Sequence, residues 1–253
     1  MYTEEEFIEL EQEEREITDE EIAIMLLLLD NIHGNLETEL RAFYQKYGVD
    51  GVVTYAEAQK WVSERKRKRR LAVLALFITG EFISALAAME QSFNKFLNEV
   101  ANKEITFFGV KLDVEKVLEK RWGLDNKNWL QRLEDDVNLW NAQIIKEVKL
   151  SILRGENINT ILKRLDKRFK SIGSVLTSLG LSESTAIGSL TRQQIFKELG
   201  ITKYKFYTKV DERRCEECGS LHGKIFPMSS YEVGVNASPI HPRCRCWEVP
   251  VLK

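Results

Sequence analysis

The chain has 253 residues and a mass of 29.4 kDa, with 43% hydrophobic residues, 30% charged residues and a formal net charge of -2. This composition predicts a soluble globular protein and excludes a disordered chain or a membrane-spanning one. The longest apolar runs, Ile22–Leu29 and Leu71–Ile78, are shorter than the roughly eighteen to twenty residues of a bilayer span, so we expect no membrane partner.

Charge is unevenly distributed at the start of the chain. The first residues, MYTEEEFIELEQEERE, are acidic and lack the positive charge of a secretory signal, so we expect no export from the cytosol. A basic block, ERKRKRR, follows at residues 64–70. Such a run is typical of a solvated helix face, and the alternative is contact with DNA phosphates or an acidic partner surface. The candidate contact residues are Arg65, Lys66, Arg67, Lys68, Arg69 and Arg70.

Helical periodicity dominates the first hundred residues. Thr18 is predicted to cap a helix, with Glu21 completing a capping box. Gly and Asn in NIHGN (31–35) and KYGVDG (46–51) predict breaks between helices. Residues 55–100 form either one long helix or two helices that meet near Gly80.

The middle of the chain is also predicted to be helical. Residues 107–123 indicate a short extended piece and then a helix, and residues 129–153 carry an apolar stripe before a favourable C-cap at Gly155. Trp129 and Trp140 lie on that stripe and are predicted to pack in the core. Another short helix covers 157–169.

A Ser/Gly/Leu-rich bridge at 171–184 then precedes a last helix that ends at Gly200. After Gly200 the sequence ITKYKFYTKVD alternates like a strand, and every proline of the chain follows it. We therefore predict a helical body over residues 1–200 and a small Cys/His module over 201–253. The fold class is mainly α, an extended multi-helix body followed by a small, zinc-stabilised α+β C-terminal module.

All four cysteines lie in this C-terminal segment. Cys215 and Cys218 form a C-x2-C spacing, and HPRCRC adds His241, Cys244 and Cys246. Four of these five side chains suffice for a structural zinc site, with Cys215, Cys218 and Cys246 joined by either His241 or Cys244. In an extended segment Cys244 and Cys246 point the same way, so both can also be ligands. A bound zinc ion would stabilise a segment too small to build much core.

Two disulfides, free thiols and a redox C-x-x-C are the alternatives to zinc. Disulfides need an oxidising compartment, and a redox C-x-x-C needs a βαβ context that the flanks lack. His222 has no acid or nucleophile partner by motif and is predicted to be a turn residue. The sequence contains no phosphate-loop, nucleophile-elbow, H-E-x-x-H or dinucleotide motif, so we expect a protein that is not an enzyme.

The tail YTKVDERRCEECGSLHGKIF and then NASPIHPRCRCWEVP resembles the C-terminal signature of phage head morphogenesis proteins, the minor head proteins similar to protein F of phage Mu. That signature reads approximately D-x-R-x-C-x-x-C-x-x-L-x-G-K-x-F and then P-x-H-P-x-C-R-C. The matching residues are Asp211, Arg213, Cys215, Cys218, Leu221, Gly223, Lys224, Phe226, Pro239, His241, Pro242, Cys244, Arg245 and Cys246. The resemblance is firm over about 203–251 and looser back to about Asn128, where residues 155–165 fit a turn and helix of the family. At 190–193 the chain has Gln193 where the family usually has Glu, and the first hundred residues are not covered.

The resemblance implies a minor capsid protein that acts with the portal protein and procapsid components, is oligomeric within the particle and is a candidate to contact packaged phage DNA. It implies a location in the virion, in the head interior or at the portal vertex, after assembly in the host cytoplasm. Two alternatives remain. One is a zinc-stabilised nucleic-acid-binding module whose phosphate contacts are Arg213, Arg214, Arg243 and Arg245. The other is a metal-dependent nuclease or toxin-like effector.

Overall fold

The computed structural model describes residues 3–53 and 65–252. The helices are α1 (Glu4–Tyr47), α2 (Arg65–Phe108), α3 (Val114–Leu118), α4 (Trp129–Leu153), α5 (Ile158–Glu198) and α6 (Glu216–Leu221). The strands are β1 (Lys203–Thr208), β2 (Ile225–Pro227) and β3 (Cys246–Pro250), and a 3-10 turn covers Met228–Ser230. This mainly helical architecture with a small C-terminal sheet confirms the predicted fold class. The predicted stabilisation of the C-terminal module by zinc stays a prediction.

Helix α1 is one helix where the sequence predicts at least two. The predicted start at Thr18 is wrong, because the Thr18 hydroxyl donates a 2.7 Å hydrogen bond to the Glu14 carbonyl inside the helix. The predicted break at 31–35 is also wrong. A glycine inside a helix costs only about 1 kcal/mol, which the buried stripe of α1 outweighs. The predicted break at 46–51 is confirmed, since α1 ends at Tyr47.

Helix α2 runs through Gly80 without a break, so the single-helix alternative is confirmed from residue 65 onward. Residues 54–64 lie outside the described part of the chain. The short extended piece and helix predicted over 107–123 are confirmed in part: α2 continues to Phe108, residues 109–113 lie outside the helices with Asp113 extended, and the short α3 follows. Among the described helices, α2 has the length and composition to cross a membrane over Arg69–Phe108. In its most apolar 18-residue stretch, 22% of the residues are buried inside the protein.

Helices α4 and α5 account for the remaining predictions in the body. Trp129 and Trp140 are buried, as predicted, and Gly155 follows the end of α4 with a φ of 66°. The predicted bridge at 171–184 is wrong, because α5 is continuous through it. Its small residues serve close packing: a Cβ added at Gly180 would lie 2.9 Å from Ile22 of α1.

The strand predicted after Gly200 is confirmed as β1, the centre of a three-stranded sheet with the order β2-β1-β3. Both neighbours pair with β1 in the antiparallel sense. The register places Phe206 opposite Glu248 and Thr208 opposite Cys246. One end of the sheet therefore lies beside the cysteines.

The described residues cluster into two compact units. Unit 1 contains those within 1–23, 91–132 and 176–253, and it includes the sheet and all four cysteines. Unit 2 contains those within 24–90 and 133–175 and is helical, with Phe82 and His33 both stacked on Phe169 in its interior. The boundary placed near residue 200 stays a prediction.

Candidate metal centre

The C-x2-C pair is positioned by the start of α6. Cys215 is the N-cap of this helix, and its sulfur accepts a hydrogen bond from the backbone N–H of Cys218 at 3.3 Å. This N–H lowers the pKa of the Cys215 thiol, since it stabilises the thiolate. Cys218 lies one turn later and is only 2% exposed. Both sulfurs therefore face the same point.

His241 brings an imidazole nitrogen to these two sulfurs. Its Nε2 lies 3.2 Å from Cys215 Sγ and 3.1 Å from Cys218 Sγ. The other ring nitrogen, Nδ1, lies 2.9 Å from the carbonyl of Pro242 and can donate to it. That bond selects the tautomer in which Nε2 carries a free lone pair, the arrangement of metal-binding histidines whose second nitrogen is held by a carbonyl.

Cys244 and Cys246 approach from the other side. Cys244 Sγ lies 3.7 Å from Cys218 Sγ, and the sulfurs of Cys218, Cys244 and Cys246 lie within 4.8 Å of one another. Arg243, with a φ of 60°, makes the turn that directs the chain here. Both cysteines are completely buried against Phe206. The structure thus brings all five predicted ligands together in two triads that share Cys218.

The thiols of Cys218, Cys244 and Cys246 are hydrogen-bonded to one another, and these bonds shift their pKa values in opposite directions. Hydrogen bonds from Cys218 and then from Cys246 lower the pKa of Cys244 to about 3, and the same bonds to Cys244 raise the pKa of Cys218 and of Cys246. These hydrogen bonds favour the thiolate form at Cys244 over Cys218 and Cys246. All four cysteines are free in this structure.

Some distances within the two triads are near those of a tetrahedral site, and each triad supplies three of the four ligands that such a site needs. With Zn–S near 2.3 Å and Zn–N near 2.0 Å, tetrahedral ligands lie about 3.8 Å apart for two sulfurs and about 3.5 Å for sulfur and nitrogen. The distances of 3.7 Å between Cys218 and Cys244 and 3.1–3.2 Å to His241 are close to these values. Cys215 and His241 are partly exposed and leave a route for the ion to enter. These clusters can hold a metal ion.

His222 does not join the metal centre. Its Nδ1 accepts a 3.2 Å hydrogen bond from the backbone N–H of Thr208, and its ring packs edge-on against Tyr207. It forms the C-cap of α6 directly before Gly223, where φ is 77°. The predicted turn role is confirmed.

The basic block lies at the start of α2. Arg69 is exposed, and the guanidinium of Arg70 lies 4.0 Å from the ring centre of Tyr47. The side chains of Arg65, Lys66, Arg67 and Lys68 lie outside what the structure describes.

A second cluster in unit 1, centred on Arg192, was not found by sequence reasoning. Arg192 is 1% exposed and forms ion pairs with Glu11 and Glu104, with Glu14 at 3.5 Å and Glu248 at 3.8 Å. One feature of the sequence could have indicated this cluster: Arg192 is the single charged residue in the helical stretch IGSLTRQQIF. Charged side chains are almost never fully buried unless they are paired.

Glu248 connects the Arg192 cluster to the sheet. Its carboxylate accepts hydrogen bonds from the hydroxyls of Ser189 and Tyr231, each at 3.0 Å, and from the backbone N–H of Ser238 at 2.6 Å. Glu248 is two residues from Cys246 on β3. The sheet that borders the metal centre is therefore fixed to α5 by buried polar contacts.

Three of these carboxylates, Glu11, Glu14 and Glu104, lie close enough to hold a cation. The Arg192 guanidinium already supplies the positive charge there. Burial and then the charges of Glu104 and Glu11 raise the pKa of Glu14 well above its ordinary value. The excess negative charge of the cluster is thus relieved by protonation.

Residues 142–249 match the family model described as Phage Mu protein F like protein. This part of the chain, less than half of its length, is similar to that family. The match confirms the resemblance and covers α5 and part of α4, so the F-like segment contains the metal centre together with Arg192 and Glu248. No curated protein and no solved structure matches the chain. A segment similar to this family suggests a role in phage head morphogenesis.

Proposed function

We propose that the chain is a minor structural protein of a tailed-phage head that acts at or near the portal during procapsid assembly. The match of residues 142–249 to the Phage Mu protein F like family carries this proposal. The F-like segment is the part through which the protein would join other head components, with an oligomer forming in the particle.

The architecture supports a structural role in two ways. The F-like segment is held by buried polar contacts around Arg192 and Glu248, which favour one fixed arrangement of sheet and helix. Outside that segment, α1 and α2 are each 44 residues long and offer extended surfaces for protein contacts. An assembly protein needs both a rigid module and contact surface.

Zinc is the structural ion we propose for the metal centre. Cys215, Cys218 and His241 with a fourth thiolate would fill all four tetrahedral positions, so the ion would stabilise the fold and leave no position for a substrate. Soft thiolate and imidazole donors favour zinc over magnesium or calcium. The test is metal content by mass spectrometry on protein purified without added metal. Protein that is fully folded and free of metal would rule this part out.

Particle assembly tests the head role. In the phage or prophage that encodes the chain, deletion of the gene should reduce the yield of filled heads, and the protein should co-purify with the portal protein from procapsids. Complementation with Cys218→Ser should fail, whereas Leu124→Asn, at a fully exposed loop position, should restore particles. Normal particle yield after deletion, without association with procapsids, would refute the proposal.

Nucleic-acid binding by the module is a second candidate function. Arg213, Arg214 and Arg243 are exposed around the metal centre, which favours contact with phosphates. Arg245 is less available, because it forms a bidentate pair with Asp211 at 2.5 and 2.7 Å. Binding to DNA should weaken steeply with added salt. In the double variant Arg213→Ala, Arg214→Ala, the slope of log affinity against log salt concentration should fall by about 2, which corresponds to two lost phosphate contacts. Binding that is flat with salt would exclude this function.

We propose that the chain is not an enzyme. His222 is the histidine considered as a general base, and its Nδ1 accepts a hydrogen bond from the backbone. Incubation of the protein with plasmid DNA and magnesium tests the proposal, with His222→Ala as the variant. Magnesium-dependent nicking that is lost in this variant would show the opposite.

A further inference from the structure

Helix α2 exposes a continuous apolar stripe in unit 2. Six residues at helical spacing form this α2 stripe, with the small polar Ser84 beside them: Ala72, Val73, Leu76, Gly80, Ile83 and Ala87. The large side chains among them, Val73, Leu76 and Ile83, are 60%, 71% and 63% exposed. Exposed apolar patches of this kind mark contact with a partner or a membrane surface.

The other face of the same helical segment is already used. Leu74, Ile78 and Phe82 are buried in the core, each no more than 3% exposed. A helix that is apolar on all sides is normally buried on all sides. Since the inner face packs in the protein, the α2 stripe needs a second apolar environment.

Charge indicates what that environment is. Between Leu71 and Ala88 the sequence contains one charged residue, Glu81, which accepts a hydrogen bond from Asn35 at 2.8 Å. The six residues directly before this segment, RKRKRR, are all cationic. An apolar helix face next to a cationic cluster is typical of helices that lie on anionic lipid.

We propose that the α2 stripe and the basic block at 65–70 bind an anionic lipid surface, with α2 lying along it. At 1.5 Å per residue the stripe is about 22 Å long, and the opposite face of the helix packs in the protein core. A lipid surface as partner departs from the sequence-based expectation of no membrane partner, which rests on the short apolar runs. A helix on a lipid surface needs only one exposed apolar face.

Other partners for the α2 stripe and the basic block explain only part of these observations. DNA would bind the cations and leave the stripe in water. A second copy packed in parallel would bring two basic blocks together, which is unfavourable. Protein interfaces depend on aromatic and arginine anchors, whereas the exposed large side chains of the stripe are aliphatic. Lipid accounts for both the aliphatic stripe and its cationic end.

Vesicle flotation tests this inference with the full-length protein. One set of vesicles contains phosphatidylcholine alone, and the other contains phosphatidylcholine and anionic phosphatidylglycerol at a molar ratio of about 7 to 3. We expect flotation with the anionic vesicles only, weakened by salt. The paired change Leu76→Asn, Ile83→Asn should reduce the vesicle partition coefficient about tenfold, and so should Lys66→Glu, Lys68→Glu.

The control is Leu124→Asn, at an exposed apolar residue away from the stripe, which should float like the unmodified protein. Unfolding curves establish that each variant is folded. Failure of the unmodified protein to float with anionic vesicles overturns the inference, as does flotation unaffected by the stripe variant. An oligomer that sedimentation detects and the stripe variant dissociates, without flotation, assigns the stripe to a second copy and also overturns it. None of these outcomes bears on the head role.

Discussion

The guanidinium of Arg192 on α5 forms an ion pair with the carboxylate of Glu104 on α2, and both side chains are almost completely buried. Replacing Arg192 by Met would leave Glu104 and its neighbouring carboxylates buried without a cation. Loss of one partner from a buried pair typically costs about 3–5 kcal/mol. We expect Arg192→Met to lower the free energy of unfolding at pH 7 by this amount, measured by urea denaturation.

Arg168→Met is the matched control, since Arg168 is an exposed arginine on the same helix. Its free energy of unfolding should change by no more than about 0.5 kcal/mol. Equal effects of the two substitutions would mean that the buried cluster adds no stability of its own.

The carboxylates around Arg192 should make stability depend on pH. Burial raises the pKa of Glu11 to about 7 and raises that of Glu14 further above its ordinary value. A folded state that holds protons more tightly than the unfolded state loses stability as pH rises from about 4.5 through the raised pKa values. We expect Glu14→Gln to flatten this decline, by up to about 1.4 kcal/mol per pH unit for one proton.

Urea denaturation at pH 5, 6, 7 and 8 measures this effect. Glu16→Gln, at an exposed position of the same helix, should leave the pH dependence as it is in the unmodified protein. Parallel curves for Glu14→Gln and the unmodified protein would show that Glu14 is ionised throughout this range.

Two helical glycines should respond in opposite directions to alanine. A Cβ at Gly180 would lie 2.9 Å from two carbons of Ile22, so Gly180→Ala forces a shift in a packed contact and should cost about 1–3 kcal/mol. At Gly34 nothing lies within 4 Å, so Gly34→Ala should stabilise by up to about 1 kcal/mol through helix propensity. Thermal unfolding of both variants gives the comparison. Stabilisation by both would mean that Gly180 is not a packing position.

The sequence predicts the module better than it predicts the helices. The alternation in β1 and the C-x2-C spacing are local patterns, so they survive in the fold. The breaks at 31–35 and 171–184 were predicted from local glycine, asparagine and serine preferences, which tertiary packing overrides in α1 and α5. Small residues there allow close helix contact rather than a turn.

The Arg192 cluster could not be predicted from local sequence. Glu11 lies 181 positions from Arg192 along the chain, and no pattern in either segment indicates the other. The same limit applies to the ligand set: spacing identifies five candidates, whereas only the fold shows that Cys218 belongs to both triads. Partner choice over long sequence separations depends on the packing of α1, α2 and α5.

Cys218 should be the cysteine on which metal binding depends most. It lies in the triad with Cys215 and His241 and also in the triad with Cys244 and Cys246. Cys218→Ser therefore removes a ligand from whichever set holds the ion, and serine is a poor zinc ligand. We expect the metal content to fall from about one zinc ion per chain to near zero, with loss of folded structure in the module.

Single changes at Cys244 and Cys246 identify the remaining ligand. If one of them completes the site with Cys215, Cys218 and His241, its replacement by Ser should release the metal, and replacement of the other should leave most of it bound. His222→Ala is the control, because His222 lies in the same module and its Nδ1 contacts the Thr208 backbone. Metal content by mass spectrometry and near-ultraviolet circular dichroism provide the readouts. A Cys218→Ser protein that keeps a full complement of zinc would contradict the shared role of Cys218, since neither triad would then be the binding site.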